Sequence, residues 1–222
     1  MTNKIEYKKT LDEIQKLIHA ELKADGFKKK GRTHNKVLDN GIVQVINFQM
    51  GQFQFDNVIE IPGLRKNLYG QFTINIGVFV PELYEKIFDP KPKGFIQEFD
   101  CEIRTRLSQK IFGDDKWYPL SADFDKTAQF ISDNLKSIGK EWFDRFDNRK
   151  KIVTELTQSK VIEFSPRQKL SGAVIELEID RENGERKFNE YYNSIEENKP
   201  HKKFVIKLAQ KLKIKLIEKA ST

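Results

Sequence analysis

Asn47, Gln49, Thr73 and Asn75 occupy alternate positions in two strand-like runs, GIVQVINFQM at 41–50 and GQFTINIGVFV at 70–80. Between them stand apolar residues: Ile46 and Phe48 in the first run, and Phe72, Ile74, Ile76 and Val78 in the second. At period two, one face of each strand is apolar and the other carries amides. A third run, CEIRTRL at 101–107, sets Arg104 and Arg106 opposite Ile103 and Leu107. Amides donate and accept at once, and guanidinium forks pair with carboxylates, phosphates or peptide carbonyls. These six residues are the candidate binding set, on a sheet face not covered by the core helices. Two other arrangements are open: an ordinary wet sheet surface, or a covered face whose amides bond buried backbone.

Other chemistry finds less support. The basic run Lys28, Lys29, Lys30 and Arg32, with seven lysines from Lys202 to Lys219, raises a nucleic-acid alternative. No aromatic stacking signature accompanies it, and in the tail the lysines flank an apolar stripe as on any solvated helix. His19, His34 and His201 are far apart and Cys101 is alone, with none of the spacings that hold zinc. Cys101 reads as a small core residue, and His19, one step past an apolar stripe, as solvated. No nucleophile elbow, phosphate loop or dinucleotide fingerprint is present. The adjacent carboxylates Asp114-Asp115 and Glu196-Glu197 sit in ordinary turn and helix-end contexts. The expectation is a non-enzymatic protein with neither cofactor nor metal.

The elements that must position these groups are legible from periodicity. Residues 3–25 form an amphipathic helix through Leu11, Ile14, Ile18 and Leu22, stopped at Gly26. Asp39-Asn40-Gly41 turns the chain into the first amide strand, and Ile61-Pro62-Gly63 marks a loop before the second. Pro81 ends that strand and opens a short helical turn. From Asp123 the period becomes helical, with Phe124, Ala128, Ile131, Leu135, Ile138 and Trp142 on one stripe, continuing to Phe146. A helix over 149–157 follows. Ser165-Pro166 opens another, although AVIELEI at 173–179 also alternates as a strand would. Glu182-Asn183-Gly184 reads as a turn, the next helix runs from Glu185 to Ile195, and the last from Pro200 to Leu216.

This order predicts an α+β fold: an antiparallel sheet of about four strands packed against the N-terminal helix and the long helix, then C-terminal helical hairpins. The expected domains are 1–158, containing the sheet, and a helical appendage at 159–222. The 222 residues are 38% hydrophobic and include 17 phenylalanines, enough for a real core. One cysteine excludes an internal disulfide and fits a reducing compartment. No signal-like stretch opens the chain, and no apolar run approaches the about 20 residues a membrane helix needs. A cytoplasmic protein without membrane contact is expected.

The segments GFKKKGRT, NGIVQVINFQ and FTINIGVFVP resemble a bacterial family, domain-of-unknown-function family 4304. Its pattern has a leading helix, a Gly-Phe-basic-basic-basic-Gly-x-Thr stretch, an Asn-x-Gln strand and a Thr-x-Asn-x-Gly strand. Here the stretch is Gly26 to Thr33, the strands hold Asn47, Gln49, Thr73, Asn75 and Gly77, and the match spans roughly 10–150. The family often has an aromatic after the threonine, where this chain has His34. Helical hairpins like those of tetratricopeptide arrays would follow. The resemblance implies the fold and no activity.

The sequence thus leads to a bacterial binding protein that holds another macromolecule on its polar sheet face. Immunity, toxin neutralisation or another conflict-system role is the expectation by fold analogy. The alternative is a nucleic-acid-associated protein of phage defence. The net charge of +7 argues against neutralising a cationic nuclease, whose inhibitor would be acidic.

Overall fold

The structure, a computed structural model, describes residues 2–52, 67–87, 92, 94–120, 123–158, 166–196 and 199–218. The expected loop at Ile61-Pro62-Gly63 and the capping Ser165 lie outside these residues. The fold is α+β, with an antiparallel sheet, an N-terminal helix and C-terminal helices. Contacts divide it into two compact units. The first holds Met1–Asp39, Val43–Phe79 and Gly94–Phe143; the second holds Asn40–Ile42, Val80–Lys93 and Asp144–Thr222. Residues 144–158, expected with the sheet, thus group with the C-terminal helices.

In the first unit, helix α1 (Thr2–Ala24) ends at Gly26, whose φ of 90° only glycine adopts without strain. The basic segment then makes a short hairpin of β1 (Lys28–Lys30) and β2 (Thr33–Val37). The amide strands are β3 (Val43–Met50) and β4 (Gln71–Phe79), followed by β5 (Ile103–Arg106) and β6 (Tyr118–Pro119). Strand order is β1-β2-β3-β4-β5, with β6 also pairing to β4. Register sets Ile46 opposite Ile76 and Phe48 opposite Ile74, and all four side chains are buried. Each such side chain contributes about 1.5–3 kcal/mol over its exposed state. The same face takes Leu11, Ile14 and Ile18 of α1 and Ala128 and Ile131 of α4 (Phe124–Asn134) into the core.

The long helical stripe is real but interrupted. After α4 the ladder widens to a π-turn over Leu135–Gly139 before α5 (Lys140–Asp144) resumes. Between β5 and β6, Leu107 turns inward as the first residue of a short helix, α3 (Leu107–Phe112), rather than continuing its strand.

The second unit packs α2 (Pro81–Lys86), α6 (Arg149–Gln158), α7 (Pro166–Glu176), α8 (Arg181–Asn193) and α9 (Pro200–Leu212). Residues 173–176 are helical and 177–179 form a turn, which excludes the strand alternative. Two boundaries differ from expectation. Gly184 lies inside α8, because its missing side chain lets the helix press on the main chain of Leu177. And α9 stops at Lys213, in the left-handed region at φ 56°, so 214–218 run free of helix.

Candidate binding face of the sheet

Direct register partners project from the same face of a sheet. β3 and β4 set Asn47 opposite Asn75 and Gln49 opposite Thr73, and β4 and β5 set Asn75 opposite Arg106 and Gly77 opposite Arg104. All six candidate residues therefore share one face, as their alternation predicts. Thr33 joins them opposite Asn47.

The three amides and Thr33 form a connected ladder. The Asn75 amide donates to Gln49 Oε1 at 2.9 Å and to Asn47 Oδ1 at 3.5 Å. Asn47 Nδ2 donates to Thr33 Oγ1 at 3.0 Å, and that hydroxyl donates to Gln97 Oε1 at 2.8 Å. Thr73 Oγ1 donates to the carbonyl of Lys116 at 3.3 Å. A side-chain chain of this kind fixes strand register where it is buried, at Thr33 and Asn75.

The expectation of an open amide face is corrected here. Thr73 is 0% and Asn75 4% exposed, and Thr33 is also buried. The cover comes from loops. A 3-10 turn at Glu98–Asp100, held by Gln97 and Asp100 in a reciprocal cap, lies over β3 and β4. Next to it Cys101 sits on Gly77, where a Cβ would come within 2.9 Å of the cysteine Cβ and Sγ. Burial pushes the Cys101 thiol up, well away from a reactive thiolate, with Glu98 and Asp100 adding to the effect. A second loop brings the Lys116 carbonyl onto Thr73.

What stays accessible is the rim. Gln49 and Arg104 are exposed, Asn47 and Arg106 half-buried. Arg104 Nη1 donates to Glu98 Oε1 at 3.2 Å. Arg106 bonds to Asp115 and lies 5.1 Å from the ring centre of Trp117. Cation–π contact and ion pair together hold that guanidinium in place. Periodicity missed Thr33, Gln97, Asp115 and Trp117, since none lies on an alternating run beside the amides. The one available signal was the aromatic pair Trp117-Tyr118.

The nucleic-acid alternative meets a different geometry. Lys28, Lys29 and Lys30 are all exposed on the three-residue edge strand β1, alternating between faces, where lysines also discourage edge-to-edge pairing. Arg32 is 3.8 Å from Asp12. His19 is half-buried rather than solvated, its ring 5.3 Å from that of His34. His34 is fully buried against Phe48, taking the place of the aromatic. Neither nitrogen of His34, nor Nδ1 of His19, has a hydrogen-bond partner among the described residues.

Among the described residues no group of three or more His, Cys, Asp or Glu side chains could hold a metal ion. Among them, too, no helix is long and apolar enough to cross a membrane. Neither the curated proteins nor the solved structures contain a match to this chain. One family model does match, over residues 18–145, and those residues contain the whole amide ladder, its covering loops and its arginine rim. The chain belongs to that family, described as domain of unknown function (DUF4304).

Proposed function

We propose that this chain is a non-enzymatic binding protein that holds a macromolecular partner on the rim of the polar sheet face, around Arg104, Arg106 and Trp117. The observation that carries the reading is Arg106, pinned by Asp115 and Trp117 and set by register beside the buried Asn75. Arginine and tryptophan are the side chains most enriched among binding hot spots. Groups fixed in advance lose little conformational freedom on association. Asp115 and Trp117 supply that fixity for Arg106, and the rim makes the contact.

The partner class is protein. A net charge of +7 favours an acidic or neutral surface and disfavours a cationic nuclease. Neutralising an acidic or neutral toxin protein, as an immunity or conflict-system component would, is one role such a rim serves. A second reading, nucleic acid held by Lys28, Lys29, Lys30 and Arg32, rests on the exposure of all three β1 lysines.

Affinity capture from lysate of the native host separates the two readings, using wild type and an Arg104→Ala/Arg106→Ala variant of equal thermal stability. A protein held by wild type, resistant to nuclease and depleted at least tenfold in the variant, is the expected result. Retention of every captured protein by the variant contradicts the rim. Capture that vanishes with nuclease and falls steeply with salt supports the lysine reading instead, since lysine–phosphate contacts release counterions.

A further inference from the structure

Residues 214–218, which follow α9 in the second unit, point to a separate site. After Lys213 the chain runs back along α8, with Ile214 buried, Leu216 half-buried, and Lys215, Ile217 and Glu218 exposed. What holds it is a row of α8 side chains that bond to its main-chain atoms. Arg181 donates to the carbonyls of Leu212 and Lys213 at 2.9 and 3.0 Å. Asn189 Nδ2 donates to the Lys215 carbonyl at 3.1 Å, and Asn189 Oδ1 accepts from the Ile217 amide at 2.8 Å. Asn193 Nδ2 donates to the Ile217 carbonyl at 2.8 Å.

The spacing suits this work. Asn189 and Asn193 are four residues apart, about 6 Å along a helix. Two residues of extended chain cover about 6.6 Å, so successive asparagines meet successive outward-facing peptide groups. Asn189 is 8% exposed and reads both a carbonyl and an amide of the strap, a pairing any residue offers. Sequence preference enters only through the side chains at positions 214 and 216, which turn inward. Beside the strap a groove of about 730 Å³ opens, lined by Asp180 and α8 residues between Glu182 and Asn193, together with Lys215, Ile217 and Glu218. The hinge is Lys213, a non-glycine residue at positive φ, so seating the strap carries a local backbone cost.

We propose that the polar face of α8 is a main-chain receptor for an extended peptide, and that residues 214–218 occupy it as an internal stand-in. The partner segment it fits has apolar residues at alternate positions with a polar or basic residue between them, as in Ile214-Lys215-Leu216. Such a segment displaces the strap, takes over the asparagine bonds and relieves Lys213.

The test uses a labelled synthetic peptide with the sequence of residues 213–222. It is titrated against the full-length chain carrying Ile214→Asp, which unseats the strap. Saturable one-to-one binding is expected, weakened at least tenfold when Asn189→Ala is added and helicity is unchanged. Absence of saturable binding overturns the proposal, as does binding indifferent to Asn189. Dimerisation of the strap-released chain without peptide uptake also overturns it, since the strap would then serve only exchange between copies. Should Ile214→Asp fail to fold, the wild-type chain is used with excess peptide, following hydrogen exchange at the Ile217 amide. Exchange that accelerates with peptide concentration supports displacement, and exchange that stays constant refutes it.

Discussion

Replacing Gly184 with alanine will destabilise the second unit by about 2–3 kcal/mol, although alanine is the better helix former by about 1 kcal/mol. An added Cβ would lie 2.6 Å from the Leu177 nitrogen and 2.8 Å from its Cα. Both are main-chain atoms and cannot rotate aside, so either α8 must shift or the turn at 177–179 must. Since Asp180 caps α8 through the Asn183 amide at 3.0 Å, a shift also disturbs the helix start. Urea unfolding of wild type and G184A checks the sign. Equal or raised stability in the variant would mean that the two backbones do not approach so closely.

The second large effect is a dependence on pH that His34 imposes. Its ring is buried between Phe48 and His19, without a hydrogen-bond partner on either nitrogen among the described residues. Burial above all, then His19 and Lys29, lowers its pKa from 6.5 to about 4. His19 is lowered as well, by burial and by Lys29 and Lys23. Below pH 6.5 the unfolded chain binds a proton at His34 that the folded chain refuses until about pH 4. Folding is therefore unpenalised above the unfolded pKa and loses stability progressively as pH falls to the folded one, by up to about 3 kcal/mol. Carboxylates titrate in the same range, so the informative quantity is the difference from His34→Phe, which keeps the ring and removes the proton site. The stability gap between H34F and wild type should widen steadily from pH 7 to pH 4. A constant gap would show that His34 takes up its proton in the folded state at an ordinary pH.

Period two exposed which residues share a face, because the alternation of Ile46, Phe48, Ile74 and Ile76 with amides leaves one register that buries the apolar set. The helix α1 was equally plain from its stripe and its terminal glycine. What periodicity cannot carry is the cover on the polar face. Gln97, Cys101 and Lys116 reach it from loops, far along the chain and without repeating pattern, so the burial of Asn75 and Thr73 was invisible. The small size of Gly77 was the available trace of a close neighbour. Gly184 misled for a related reason: between Asn183 and Glu185 it looks like a turn, whereas its role is to let Leu177 approach. Lys213 ends α9 without glycine or proline, so an apolar spacing that continues to Leu216 overran the true boundary.

The central claim is that Asn75, at the buried centre of the amide ladder, is scaffold and that the arginines beside it are working surface. Denaturant unfolding of Asn75→Ala beside Arg104→Ala tests it most directly. Asn75→Ala removes the donor to Gln49 and Asn47 at a site 4% exposed, which should cost about 2 kcal/mol. Arg104→Ala at an exposed ion pair should stay within about 0.5 kcal/mol of wild type. A large loss for the first and almost none for the second is the predicted result. Two near-neutral variants would mean the face is open to water, and two large losses would mean that Arg104 is scaffold too.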